Sequence, residues 1–245
     1  MRALLPKPIE QVDDDYLLSR YAGAALPFVR FNFVSSADGS AQLGGLSGAL
    51  GSNGDHRIFN LLRRLAHVVL VGSGTVRAEG YAGPLVSDAD QAWRTAHGLD
   101  AHPVFAIVSH NLSIAPDAEV LTASPGPVLL YTCAQVAEPL RESYPEHVQL
   151  VQVANNGEGP DPVQIVADLD ARGLQFIHAE GGPHIFGQFI SAGQVDSLCV
   201  SYSPVLAAGA GSRIARSVRE QQRSLRLHTL LEENSMLFAE YRVDR

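Results

Sequence analysis

Apolar positions along the sequence switch between a strand-like alternation and a helix-like spacing, and their succession predicts the elements. Residues 28–36 alternate and are rich in Phe and Val, which predicts a buried strand closed by a turn at Ala37-Asp38-Gly39. After a glycine-rich stretch over 44–51, Ser52 with Asp55 three residues later reads as the capped start of a helix, whose apolar face is Ile58, Leu61, Leu62 and Leu65 and which runs to about residue 64. The continuously apolar run 67–71 ends at Gly72 and predicts a strand buried on both faces, with a helix from Thr75. Residues 104–108, 128–131 and 148–153 repeat the short-strand pattern, with a helix predicted over 134–142 and another from Pro160-Asp161 to about 172. The longest irregular region, 80–102, carries a short helix near 89–97.

A strand over 175–179, a helix over 182–192 and a strand over 197–202 continue the βαβ alternation. The tail departs from it: 225–231 and 236–243 flank Glu232-Glu233-Asn234-Ser235 and predict an antiparallel hairpin. The expected fold class is therefore α/β with a mixed, mostly parallel sheet. One domain is expected over residues 1–245, with 1–27 an N-terminal extension carrying a short helix and 28–245 the core.

Composition narrows the function more than the fold. The 245 residues are 46% hydrophobic and 18% charged, the profile of a globular protein. A formal net charge of -8 argues against a nucleic-acid surface, which needs a clustered basic field. No stretch is long and apolar enough for a membrane span, and the N-terminus lacks the apolar segment of a signal peptide. The two cysteines, Cys133 and Cys199, form no C-x-x-C pair, and the nine histidines show no metal-ligand spacing, so a cytoplasmic protein without a metal site is expected.

Candidate chemistry gathers at two strand-to-helix turns. In Gly72-Ser73-Gly74-Thr75 glycine lets backbone N–H groups approach an anion at the positive end of a helix; the alternative is a plain tight turn. Glu180-Gly181-Gly182-Pro183 repeats that arrangement, with Pro183 where a missing N–H is harmless. Glu180 stands at the carboxyl end of its strand, the edge where open α/β sheets place ligands, or else caps the next helix. Asp38 belongs to an ordinary turn or to a site, Ser47 to a connector or a closing loop, and Arg63 to the solvated surface or to a substrate phosphate. No nucleophile elbow or other covalent signature is present.

Taken together, 30–39, the run Leu61-Leu62-Arg63-Arg64-Leu65-Ala66-His67-Val68-Val69-Leu70-Val71-Gly72-Ser73-Gly74-Thr75-Val76, 179–183, and Val195-Asp196 leading to Ser203-Pro204-Val205-Leu206 resemble the riboflavin-pathway pyrimidine reductases, the reductase half of bifunctional deaminase-reductase proteins. The resemblance covers about 28–240. It implies a dihydrofolate-reductase-like three-layer fold, a homodimer, and reduction by NADPH of the ribosylamino side chain of a pyrimidine phosphate. By position it implies cofactor contacts at Val34, Ala49, Thr75, Glu79, Gly182, Pro183, His184, Ile185, Phe186, Gly187 and Gln188, to which the strand-to-helix turns add Gly72, Gly74 and Gly181. It implies substrate contacts at Ser47, Arg63 and Glu180, with Glu180 and Asp38 as catalytic candidates; the dimer surface is expected near 195–205.

The sequence departs from that pattern after Glu79, where the family often has Asp followed by a substrate arginine and this protein reads Gly80-Tyr81-Ala82-Gly83-Pro84-Leu85-Val86. The deaminase signature is absent as well. A dihydrofolate or pteridine reductase on the same scaffold, or a non-catalytic nucleotide-binding paralogue, are the competing expectations.

Overall fold

Two β-branched runs and two glycine turns decide where the sheet places its ligand edge. In the computed structural model, which describes residues 1–22 and 25–244, the order is β1 (Arg2–Leu5), α1 (Asp14–Tyr21), β2 (Phe28–Ser36), α2 (Asn53–Leu65), β3 (Val68–Gly72), α3 (Ser73–Glu79), α4 (Asp88–Ala96), β4 (Val104–Val108), α5 (Glu119–Thr122), β5 (Val128–Thr132), α6 (Glu138–Arg141), β6 (Val148–Gln152), α7 (Pro162–Ala171), β7 (Phe176–Ala179), α8 (Pro183–Ser191), β8 (Ser197–Ser203), β9 (Leu225–Glu233) and β10 (Met236–Val243). One sheet holds ten strands in the order β1-β9-β10-β8-β2-β7-β3-β4-β5-β6. Strands β8 through β6 run parallel, whereas β10, β9 and β1 add an antiparallel edge. The mixed sheet and C-terminal hairpin agree with the sequence reading.

Three layers follow from which side chains each face presents. On one side Phe31, Val29, Ile177 and Ala179 meet Ile165 and Leu169 of α7 and Phe186 and Phe189 of α8. On the other, Ile58, Leu61 and Leu62 of α2 and Leu17 and Leu18 of α1 pack over Cys199, Leu231 and Phe238. Beyond them Val69, Val71, Phe105, Ile107 and Leu130 are covered by Val76, Ile114 and Leu121. Each large apolar side chain buried this way contributes about 1.5–3 kcal/mol. All five residues of β3 are buried, as the apolar run predicts.

Helix α2 carries much of the site, and both its ends are fixed. Ser52 Oγ accepts the N–H of Asp55 at 3.2 Å. At the other end the buried Arg94 guanidinium donates to the carbonyls of Arg63 (3.2 Å), Arg64 (2.9 Å) and Ala66 (2.6 Å), satisfying groups that a helix end leaves without partners. Helix α4, which supplies Arg94, begins with a complete capping box between Ser87 and Asp90.

Two expectations are corrected. The helix predicted over 134–142 shrinks to α6, which buries no residue and has Pro139 in its first turn, so it has neither an apolar face nor the N–H to grow backwards. The extension at 1–27 does hold a helix, capped by Asp13, but it also supplies β1, a four-residue strand paired to β9. In the segment 195–205, named as a possible dimer surface, Leu198, Cys199 and Val200 are buried while Tyr202 and Val205 are exposed.

Candidate active site

The carboxyl ends of β2, β3 and β7 lie side by side because β7 inserts between the other two. Over this edge opens a cavity of about 540 Å³, within the range of small-molecule sites. Its wall includes Asn32 and Val34 of β2, Gly74, Thr75 and Glu79 of α3, and Glu180, Gly182 and Pro183. Opposite stand Ser47 and Gly48 of the glycine-rich loop and Asp55, His56, Phe59 and Arg63 of α2.

The two glycine turns touch. The Gly72 N–H donates to the Gly181 carbonyl at 2.7 Å, so the loops after β3 and β7 form one surface. Glycine is required at the contact. A Cβ on Gly182 would stand 2.5 Å from Thr75 Oγ1, and one on Gly181, which has φ +85°, would stand 2.7 Å from Phe33. At Gly74 a Cβ would meet nothing within 4 Å, so that backbone faces open space. The first turn of α8 has no side-chain cap, and Pro183 sits within it. An anion is the partner such an end accepts best.

Glu180 is the most heavily bonded residue of the cavity. Its Oε1 accepts Arg63 Nε at 2.6 Å and its Oε2 accepts Arg63 Nη2 at 2.9 Å and the Tyr81 hydroxyl at 2.6 Å. His178 Nε2 lies 3.4 Å from Oε1. The fork geometry is the bidentate kind, and Arg63 Nη1 also donates to the Leu85 carbonyl at 3.0 Å. Arg63 lies over the Phe59 ring at 4.3 Å, and Tyr81 stacks on Phe105 at 5.8 Å. Burial would raise the Glu180 carboxyl, but the Arg63 guanidinium, by charge and by hydrogen bonding, more than offsets that and holds it well below the usual carboxylate range. Burial, with the Glu180 charge, pushes the Tyr81 phenol well above its ordinary value, and burial pushes the His178 imidazole down. At neutral pH the set is thus a carboxylate, a guanidinium, a phenol and a neutral imidazole.

Of the residues singled out from sequence, the fold brings Val34, Ser47, Arg63, Gly74, Thr75, Glu79, Glu180, Gly182 and Pro183 to the cavity. Ser47, expected on the substrate, and Glu79, expected on the cofactor, bond to each other: Glu79 Oε1 accepts the Ser47 N–H at 3.1 Å and its hydroxyl at 2.9 Å. Gly72 and Gly181 hold the two loops together behind the wall, Ala49 is exposed beside Gly48, and His184 is exposed on the first turn of α8. Ile185 packs against Gly72.

The remaining four, like these five, are not among the residues that line the cavity. Phe186 enters the core against Phe31, with ring centroids 4.7 Å apart. Gly187 lies beneath the Arg216 carbonyl, which leaves no room for a Cβ, and Gln188 donates to the Glu158 carbonyl at 2.9 Å. Asp38 serves its turn: its carboxylate accepts the Ser36 hydroxyl and the N–H groups of Ala207 (3.1 Å) and Ala208 (2.7 Å), bonds that bring it to a pKa of about 2. A carboxylate held this low is a poor proton donor, and Asp38 is not among the residues that line the cavity.

Sequence reasoning missed Asp55, His56, Phe59 and Tyr81. The signal for two was present: Asp55, Phe59 and Arg63 follow one another at intervals of four, so the three share one helix face. Tyr81 follows the helix in an irregular loop, where no periodicity points inward. Among the described residues, no helix is long and apolar enough to cross a membrane, and no cluster of three or more His, Cys, Asp or Glu could hold a metal.

The sequence model of the RibD C-terminal domain matches residues 27–235. Riboflavin biosynthesis protein RibD of Escherichia coli K12 is 26% identical over 208 residues, covering 83% of this chain and 54% of that protein. The protein of the same name from Bacillus amyloliquefaciens is 26% identical over 211 residues, covering 84% and 53%. The chain thus spans about half the length of these curated relatives. Among solved structures, a pyrimidine reductase-like protein from Corynebacterium diphtheriae superposes with a TM-score of 0.73 at 25% identity, covering 89% of this chain and 92% of that one. A riboflavin biosynthesis reductase from Saccharomyces cerevisiae shares the fold at 15% identity, with a TM-score of 0.66 and coverage of 95% and 100%. With the family model matching most of its length, the chain belongs to the RibD C-terminal domain family, the riboflavin-biosynthesis reductases.

Proposed function

We propose that this protein uses NADPH to reduce the ribosylamino side chain of a pyrimidine phosphate to the acyclic ribitylamino form. The observation that carries the reading is the cavity itself, walled on one side by the joined glycine loops and on the other by the Glu180–Arg63–Tyr81 network.

The residues fit a dinucleotide. Gly74 offers open backbone, Thr75 and Gly182 approach as closely as an absent Cβ permits, and the uncapped first turn of α8 faces the same edge. When bound, the dihydronicotinamide supplies the hydride that no protein group can provide. Val34, Thr75 and Glu79 border the cofactor half of the cavity in this reading, and Ser47 closes over it through its bonds to Glu79. Glu180 anchors sugar hydroxyls, and Arg63, the only Lys or Arg side chain lining the cavity among the described residues, offers its remaining N–H groups to the phosphate. The network holds the two side chains in place before substrate arrives, so alignment costs little on binding.

We further propose that residues 1–245 fold as one reductase domain and work as a cytoplasmic homodimer. One face of β8, β10 and β9 leaves Tyr202, Leu237, Leu227 and Leu225 exposed, with Leu237 directly opposite Tyr202 in the ladder. This face, which takes Tyr202 from the segment 195–205 and adds the hairpin, is the proposed pairing surface. A second reading rests on one specific observation: Arg63 is already committed to Glu180, which favours an unphosphorylated pteridine such as dihydrofolate. Mixing the protein with NADPH and, separately, the ribosylaminopyrimidine phosphate and dihydrofolate, while following loss of NADPH absorbance, decides between them. Oxidation with the pyrimidine alone is expected; no oxidation with either would remove both readings.

A further inference from the structure

Among the described residues three acidic side chains line the cavity, and they are engaged differently. Glu180 is held by Arg63 and Tyr81, and Glu79 by Ser47. Asp55 differs. Its N–H caps onto Ser52, but the reciprocal bond from its carboxylate, which would complete a capping box of the kind Ser87 and Asp90 make, is not formed. Instead the side chain stands over Gly51: a Cβ on that glycine would lie 3.0 Å from Asp55 Oδ2 and 3.4 Å from His56 Nε2.

The surroundings of this carboxyl hold few compensating charges. From its own helix come His56 and, two turns on, Arg63, which Glu180 neutralises. The hydroxyl of Ser201 of β8 hydrogen-bonds to it and is uncharged, as is Asn32 of β2 in the cavity wall. Behind Gly54 the Met1 amine pairs with Glu233 at 2.8 Å, and Arg57 pairs with Asp14 at 2.6 Å. Among the described residues no cation forms an ion pair with Asp55.

We propose that Asp55 is the acid of the site, protonating the substrate nitrogen as the adjacent carbon accepts a hydride. The inference rests on the reductase reading above. In the step, the π bond of an acyclic C=N group breaks. The carbon gains hydrogen and an electron pair from a dihydronicotinamide, which is oxidised to the nicotinamide form, and the nitrogen gains the Asp55 proton. Asp55 is left as a carboxylate and recovers a proton from water. The balance of environments agrees: burial pushes the Asp55 carboxyl up, and the Ser201 hydroxyl and His56 oppose this only in part, whereas Glu180 is held down. Tyr81 keeps its proton on Glu180.

The test pairs kinetics with a titration. Asp55→Asn should lower turnover on the order of 100-fold or more, the usual effect of a placed acid, while NADPH binding, read by fluorescence, and the melting temperature stay close to wild type. The wild-type fall in kcat/KM on raising pH should disappear in this variant. Independently of turnover, the Asp55 carboxyl carbon followed by NMR in the free protein should titrate above an ordinary aspartate. Turnover in Asp55→Asn within about threefold of wild type, or a carboxyl that titrates at or below the ordinary value, would overturn the assignment of Asp55 alone. A wild-type protein that leaves NADPH unoxidised with either substrate would overturn the reductase reading, and the acid role with it.

Discussion

At the scale of single residues, the site is governed by one buried carboxylate and the groups that compensate it. Removing one partner of a buried ion pair leaves the other charge without compensation and costs about 3–5 kcal/mol. Glu180→Ala should therefore lower stability by roughly that amount in urea titrations and cut turnover on the order of 100-fold, because Arg63 and Tyr81 lose their common anchor. The pH dependence follows from the same groups. His178 has its folded-state pKa lowered, so the stability it contributes is present above its unfolded pKa of about 6.5 and lost as pH falls below it. Glu180 is also lowered, and its contribution is lost below about 4.5. The urea midpoint should be level from about pH 6.5 to about pH 8, decline on acidification below that window, and decline in alkali, where the unfolded thiol and phenols ionise before buried Cys199 and Tyr81; a midpoint that rose on acidification would contradict the assignment. Glu180 and Arg63 were legible in the sequence because each stands at a strand end or on a patterned helix. Tyr81 was not, since a loop position has no period, and the helical spacing that carries Asp55 was masked because a first-turn Asp reads equally well as a cap.

At the scale of elements, the glycine turns were legible as strand-to-helix junctions, but their contact across β3 and β7 was not. It depends on β7 inserting beside β3, a long-range pairing that local sequence does not encode. That contact gives a specific expectation. Gly182→Ala should disturb the loop and weaken NADPH binding at least about tenfold, because its methyl meets Thr75 Oγ1; adding Thr75→Ala removes the obstructing atom and should restore the melting temperature. A single variant that binds and melts like wild type would show that the loops can part freely. The C-terminal end of α2 supplies a second expectation. Arg94→Met leaves three carbonyls without their charged donor and should cost about 2–4 kcal/mol, read as a lower urea midpoint. The overextended helix at 134–142 and the missed β1 share one cause: short elements take their form from packing partners, and neither has enough of its own pattern to reveal them.

At the scale of the whole molecule, the parallel part of the sheet builds the site and the antiparallel hairpin leaves an apolar face open. Sedimentation should show a dimer that Leu237→Glu shifts toward monomer, with the melting temperature of the monomer retained; a wild-type monomer at micromolar concentration would remove the pairing surface. The alternation that predicts the α/β class was readable throughout, because strands buried on both faces stand out as apolar runs. Substrate choice is where the sequence says least, since it falls to the loop after Glu79, in which Tyr81 closes on Glu180. Everything proposed for the site requires the cavity over β2, β3 and β7 to hold NADPH beside a ribosylaminopyrimidine phosphate. NADPH consumption by the purified protein with that pyrimidine as the only acceptor, with the reduced product identified by mass, decides it. Stoichiometric oxidation and a product heavier by two hydrogens are expected; NADPH left unconsumed with this acceptor would contradict the proposal.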